Sequence, residues 1–398
     1  MENPSAIREI MNIVADFEKH PEKYPRKLIY LAGGWPQDPP PPVLREAALE
    51  LVGDETAFNS SARYGPTRGE PDFIERICDY ERAIWGRRVS PDRDGIIVGS
   101  GSTELTAAFM LACLDPGDEL ILTAPGYLNY KRQAEIEGIL SVKVKRWRIV
   151  RDHEYEPDPG ELAELMTERT RLVIVCSPGN PDSCVMDDET LDGVLDVAEE
   201  RGAWVMLDLA YRAFCFGDEP GYLSRRRRDN EIIMCTFSKE LRVPGWRLAY
   251  AIAEPELVEA VNALEQARTL CPSTLAQRII RRVLEDEKRL KALRAYYDEG
   301  RRKYARIARI ALDALVDAMP RAVPLEPKGG FYVFFDASEY DGSSRRFCRR
   351  LLDEVQVALT PGLDFGMEGW IRLSYAPTVE KPELITEAME RIRGLLGG

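Results

Sequence analysis

Six short apolar runs set the limits on what this chain can fold into: GIIVG (95–99), ELILTA (119–124), LVIVC (172–176), WVMLD (204–208), EIIMC (231–235) and RLAYAIA (247–253). Between them lie stretches with helical patterning, such as STELTAAFMLACL and DETLDGVLDVAEERG. A continuous apolar run reads as a strand buried on both faces, and strands alternating with helices make an α/β domain with a mostly parallel sheet. In an open parallel sheet, ligands bind in the crevice outside the carboxyl ends of the strands. The residues that follow each run therefore matter most.

Those residues are unusual. GIIV is followed by Gly99-Ser100-Gly101-Ser102-Thr103, which opens a helix, and ELILTA by Pro125-Gly126-Tyr127. LVIVC is followed by Ser177-Pro178-Gly179-Asn180-Pro181. WVML ends in Asp208, with Tyr211 three residues on, and EIIMC runs into Thr236-Phe237-Ser238-Lys239. Each alone has an ordinary explanation: a tight turn, a packed ring, a helix cap or a snorkelling lysine. Gly99-x-Gly101 is also no dinucleotide fingerprint, because Glu104 stands where the third glycine belongs. Their shared location at strand ends is what carries the signal. A lysine in a dry site has a depressed pKa and forms Schiff bases. A buried aspartate stabilises a protonated ring nitrogen, an aromatic covers the ring, and a helix N-terminus with hydroxyls and an arginine holds a phosphate. A ring with a nitrogen, a phosphate and an aldehyde is pyridoxal phosphate.

The rest of the chain narrows the class. The 398 residues carry a net charge of −13, which argues against a nucleic-acid partner. The basic run RRRR (225–228) reads as a solvated loop. The eight cysteines are scattered without a C-x-x-C pair, and the two histidines have no cluster of ligand types, so no zinc site is expected and the compartment reads as reducing. The acidic N-terminal stretch does not read as a signal peptide, and AAFMLACL is too short to span a bilayer. The Gly/Pro-rich segment AGGWPQDPPPP reads as an extended arm. From about residue 255 the pattern changes. Leu257, Val261 and Leu264 recur at helical spacing, as do Leu275, Ile279 and Val283. GGFYVFFD and WIRLSYA then read as strands of a second, smaller α+β domain.

With these residues in hand, the sequence resembles the fold-type I pyridoxal-phosphate aminotransferases of class I/II, the aspartate-aminotransferase-like group, through nearly the whole chain. TFSKELRVPGWRLAY (236–250) looks like the family's S-x-S-K-x(7)-R signature. The resemblance puts Lys239 in the place of the lysine that links covalently to the cofactor and Arg247 in that of the phosphate arginine. Thr236 and Ser238 fall on the flanking hydroxyl positions, and Ser102 and Thr103 on the phosphate-binding amides. Asp208 is matched to the ring-nitrogen aspartate, Tyr211 and Asn180 to the partners of the ring hydroxyl, and Tyr127 to the stacking aromatic. Arg372 in I-R-L-S-Y-A falls on the arginine that pairs with the substrate α-carboxylate, with Gly34 beside it. Tyr64 resembles the tyrosine that reaches the neighbouring subunit's phosphate, which implies a homodimer. The family's N-P-T-G reads N-P-D-S at 180–183.

The resemblance implies an N-terminal helix and arm over 1–38, a large cofactor domain over 39–284 and a small domain over 285–398. It further implies a cytoplasmic enzyme that moves an amino group from an L-amino acid to a 2-oxo acid, without nucleic-acid or membrane partners. A carbon–sulfur β-lyase on the same fold is the alternative. A cofactor-sensing regulator is more remote, because the residues before Gly33 are not basic. Thr103 stands where many aspartate-specific relatives carry a lysine, so aspartate is not expected to be the best donor. Arg68, reaching across the dimer interface, and Arg242 are the candidates for a second cation that would read a distal carboxylate.

Overall fold

The computed structural model describes residues 6–90, 93–136 and 141–397. A seven-stranded sheet organises the first two thirds of the chain. From one edge its strands are Gly95–Gly99, Ala249–Ala253, Glu231–Thr236, Trp204–Asp208, Thr170–Cys176, Glu119–Ala124 and Lys143–Arg148. The pairings are parallel except around Ala249–Ala253, which runs antiparallel to both neighbours. The expectation of a mostly parallel α/β sheet holds. Its inner strands are buried at nearly every residue, as continuous Ile, Val and Leu runs require.

The second sheet has four strands in the order Val323–Pro324, Tyr332–Asp336, Trp370–Ser374 and Thr360–Pro361, all antiparallel. The 32-residue helix Glu287–Ala318 packs against it. Asp286 caps that helix by accepting hydrogen bonds from the amides of Lys288 and Arg289. The N-terminal strand Ile29–Tyr30 pairs in parallel with Val357–Ala358, so the arm is tied to this second layer.

The helical spacing after residue 255 holds, in the helices Pro255–Arg268 and Thr274–Leu284, but the buried stripe of each is shifted in phase. Leu257 and Val261 are buried with Val258 and Glu265, whereas Leu264 is only half-buried. In Thr274–Leu284 the buried face is Ala276, Ile279, Ile280 and Val283, and Leu275 is exposed. The basic run 225–228 is a loop as expected, but apart from the exposed Arg226 its arginines are held in ion pairs. Arg225 pairs with the fully buried Glu231, Arg227 is buried against Asp94 and four backbone carbonyls, and Arg228 pairs with Asp196 and Glu199. The charge density suggested free arginines, but the nearby Glu231 and the remote Asp94, Asp196 and Glu199 neutralise them. No helix among the described residues is long and apolar enough to cross a membrane, and none of them form a cluster able to hold a metal ion.

Candidate active site

Every site residue expected from the sequence, Tyr64 excepted, lines a single cavity of about 440 Å³ at the carboxyl ends of the strands. The cradle at its base is built by backbone conformation. Gly101 has φ +98° and precedes the helix Ser102–Cys113, and a Cβ there would overlap the Arg247 guanidinium. Arg247 itself sits in the left-handed region at φ +54°. The helix N-terminus, the Ser102 and Thr103 amides and one guanidinium thus converge, the arrangement that suits a phosphate. Thr236 caps the short helix Phe237–Glu240 through its hydroxyl, which accepts from the Ser238 amide at 3.2 Å. That cap turns the chain sharply at the strand end and puts Lys239 at the cavity.

Among the described residues, no carboxylate forms an ion pair with Lys239. Its Nζ donates to the Gly34 carbonyl at 2.7 Å. Burial, with Arg372 and Arg247 nearby, brings its pKa down from 10.5 to about 8. Asp208 ends the strand Trp204–Asp208 with its side chain buried. It accepts from the Tyr130 hydroxyl at 2.6 Å and the Ala210 amide at 2.9 Å. Burial nevertheless raises its pKa, outweighing both donors and the more distant attraction of Lys239. A buried carboxylate in this state favours a cationic ligand.

A second chain of contacts runs across the cavity. The Asn180 Nδ2 donates to the Tyr211 hydroxyl at 2.9 Å, and the Tyr211 hydroxyl lies 3.1 Å from that of Tyr332. Arg372 donates to Asn180 Oδ1 at 2.8 Å and to the Ala32 carbonyl at 2.9 Å. Its guanidinium lies over the Tyr332 and Phe365 rings at 4.4 and 4.7 Å. Arg372 is nearly fully buried with neutral acceptors, so a carboxylate entering here would meet a desolvated fork. Gly34 leaves room for this: a Cβ would come within 3.1 Å of the Tyr332 hydroxyl.

The departure N-P-D-S has a local solution. Ser183 adopts φ +57°, where glycine is less strained, and its Oγ accepts from the Tyr332 amide at 3.1 Å. Asp182 is buried and accepts from the Cys184 amide at 2.9 Å, so the turn closes on itself.

Residues 26–392 match the model of the aminotransferase class I and II family. The chain belongs to that family. Among its relatives, the aspartate aminotransferase of Pyrococcus horikoshii is 28% identical, with 99% of this chain and 95% of that protein covered. The aspartate/prephenate aminotransferase of Thermus thermophilus is 30% identical, covering 93% and 91%. The solved structure of Thermus thermophilus aspartate aminotransferase with maleate superimposes with a TM-score of 0.87 at 26% identity, over 99% of this chain and 97% of that one. The fold is therefore that of the fold-type I enzymes, and this protein is a pyridoxal-phosphate-dependent aminotransferase. The donor set fits the cofactor: an amine and a buried carboxylate that form no ion pair among the described residues, and a cradle kept open by Gly101.

Some aminotransferase cavity residues were not picked out from the sequence. Tyr130 lies three residues after Tyr127, on the first turn of the helix Leu128–Ile136, and that spacing brings both to one face. Tyr332, which backs the cavity through Tyr211 without lining it, sits in a strand whose aromatic run reads as plain core. Met11, Tyr30 and Trp35 come from the N-terminal helix and arm. Tyr64 is 83% exposed and outside this protomer's cavity. The two candidate second cations point elsewhere. Arg68 donates to the Ile96 carbonyl and pairs with Glu259 at 2.7 Å. Arg242 is buried, 3.5 Å from Asp38, against the rings of Phe214, Tyr296 and Tyr304.

Proposed function

We propose that Lys239 is the covalent anchor and proton carrier of this aminotransferase, that Asp208 holds the cofactor's ring nitrogen, and that Arg372 receives the α-carboxylate of an L-amino acid donor and of the 2-oxo acid acceptor. The observation that carries this reading is the juxtaposition in one cavity of a low-pKa amine, an unpaired buried carboxylate and a desolvated guanidinium.

When bound, pyridoxal phosphate supplies an aldehyde and an electron-accepting pyridinium. The chain's own groups do the rest. Arg247, Ser238, Thr236 and the amides of Ser102 and Thr103 would hold the phosphate. Tyr127 would cover the ring, and Tyr211 and Asn180 would share its hydroxyl. Arg372 orients the donor through two N–H groups, so that its Cα proton faces Nζ of Lys239. With a pKa of about 8, a useful fraction of that amine is neutral near pH 7.5. Lys239 then takes the proton from Cα as general base and returns one as general acid. The donor leaves as a 2-oxo acid, and the same steps in reverse convert a second 2-oxo acid into an amino acid. Because the named relatives are aminotransferases, the carbon–sulfur lyase alternative is not favoured.

The working unit in this reading is a homodimer with Tyr64 completing the neighbour's phosphate site. Its exposure, together with that of Leu49, Val52 and Phe58, supports a covered apolar face. Residues 1–38 would act as an arm, 39–284 as the cofactor domain and 285–398 as the part that closes on the substrate. Eight free cysteines suit a cytoplasmic location. Borohydride reduction of the loaded protein followed by peptide mapping tests the core of the proposal: the cofactor should be fixed on the peptide that carries Lys239. Labelling of another lysine would remove the assignment.

A further inference from the structure

We propose that the amino donor has a large apolar side chain, aromatic in the simplest case, which lies against Trp35 and Tyr30 beneath the N-terminal helix. The inference rests on the assignment of Arg372 to the α-carboxylate and adds the substrate class.

The catalytic cavity does not end at Arg372. It shares Met11, Tyr30 and Trp35 with a second cavity of about 920 Å³ under the helix Ala6–Lys19. The shared residues make an apolar wall. The Tyr30 and Trp35 rings are 6.0 Å apart and tilted by 43°, and the Tyr30 hydroxyl donates to the Met11 sulfur at 3.0 Å. Gly33 fits the back of this wall, since a Cβ there would come within 2.8 Å of the Tyr30 ring and 3.3 Å of Trp35. Beyond it the second cavity is lined by Val14, Phe17, Tyr24 and Leu28, while the charged Glu22, Arg26 and Lys27 at its edge are exposed.

The charges of this protomer favour an apolar side chain over an acidic one. The cations lining the catalytic cavity are Lys239, Arg247 and Arg372, and each already has a task. Arg68 and Arg242 are engaged elsewhere. Among the described residues of this protomer, a distal carboxylate would be desolvated without a cation, and that is costly. An apolar side chain would instead gain by burial, worth on the order of 10- to 100-fold in affinity for an aromatic group.

The test is a donor panel with the holoenzyme and 2-oxobutyrate, an acceptor without a distal carboxylate, using phenylalanine, leucine, alanine and aspartate, on the wild type, Trp35→Ala and Trp35→Phe. In the wild type, phenylalanine or leucine should exceed both alanine and aspartate in kcat/KM by roughly tenfold or more. The phenylalanine-to-alanine ratio should collapse in Trp35→Ala and persist in Trp35→Phe. Calorimetry gives a readout independent of turnover: 3-phenylpropionate should bind the holoenzyme more tightly than succinate does. The proposal is overturned if aspartate leads the wild-type panel, if succinate binds more tightly, or if the ratio is indifferent to Trp35→Ala. Turnover of no donor at all would instead sink the assignment of Lys239 and Arg372, and 3-phenylpropionate binding would still decide the pocket.

Discussion

Lys239 and Glu240 are neighbours in the chain, as are Tyr211 and Arg212, yet each pair is split between two charge systems of opposite design. Behind the cavity, Glu81, Arg87, Arg212 and Glu240 are fully buried. Arg212 donates to Glu240 at 2.6 Å, to Glu81 at 2.7 Å and to the Tyr250 hydroxyl at 2.7 Å, and it lies over the Trp85 ring. Arg87 pairs with Glu81 at 3.2 Å and donates to the carbonyls of Tyr222 and Arg225. Tyr80 donates to Glu240 at 2.7 Å. This set has two acids and two bases, and it closes on itself. Although burial opposes ionisation, the two guanidiniums hold the Glu81 carboxyl below its usual range, while Glu240, with one, is pushed up by burial. In the cavity, by contrast, Lys239 and Asp208 make few bonds and none to an opposite charge. A buried charge that serves the fold is matched by the chain, whereas one that serves chemistry is left for a ligand to match.

The difference is sharpest when one member of each system is removed. Lys239→Ala should lose turnover by about 10⁴-fold or more, because anchor and proton carrier go together. It should not lower the urea midpoint of the apoprotein, since burial, Arg372 and Arg247 together oppose the charge it removes. A marked loss of stability in that variant would erase the distinction. Arg212→Met should do the opposite. Leaving Glu81 and Glu240 buried without their shared cation should cost ~3–5 kcal/mol of stability. Urea unfolding would read this as a lowered midpoint at similar slope. A midpoint within error of wild type would mean that the network is not the brace described here.

Tyr130→Phe probes the boundary between the two designs, because Tyr130 is the side-chain donor that Asp208 has. Losing one hydrogen bond to a charged group should cost ~1.5–3 kcal/mol. The effect should show in the dissociation constant of the cofactor and not in the melting of the apoprotein, since Asp208 matters once a cation faces it. Equal losses in both would place Asp208 with the structural charges.

This contrast also explains what the sequence made legible. The cavity was readable because each strand ends in residues that a core does not need, such as Asp208 after WVML and Lys239 after EIIMCTFS. The alternation of strands and helices was equally plain. The network behind it was not, because Glu81, Arg87, Arg212 and Glu240 are scattered over 160 residues and meet only in three dimensions. The same holds in part for the run 225–228, where Arg227 and Arg228 find Asp94, Asp196 and Glu199 far away in sequence, although Arg225 pairs with the nearby Glu231. Trp35 escaped notice since the Gly/Pro-rich arm has no periodicity from which to read a face. Helix phase misled at Leu264 and Leu275, where spacing alone fits two overlapping stripes.

The smallest effect concerns pH, and it separates the designs without changing the matched set. The unfolded chain holds its lysine proton up to about pH 10.5, whereas the folded site releases the Lys239 proton at about 8. Below 8 both states carry the proton and folding bears the full cost of an unmatched charge. Between 8 and 10.5 the unfolded state binds more protons, so the contribution of Lys239 to stability rises with pH. Because the side chain is partly exposed, the gain should be on the order of 1 kcal/mol. Other groups titrate in the same window, so the measurement is the difference between wild-type apoprotein and Lys239→Met, taken as urea midpoints at pH 7.5 and 9.5. Lys239→Met should be the more stable at 7.5, with the gap closing at 9.5. A companion rate follows from the same proton: attachment of pyridoxal phosphate needs the neutral amine, and its association rate should climb through pH 8 before levelling. A climb centred near 10.5 would show Lys239 to be an ordinary solvated lysine, and the contrast between the two charge systems would then rest on Asp208 alone.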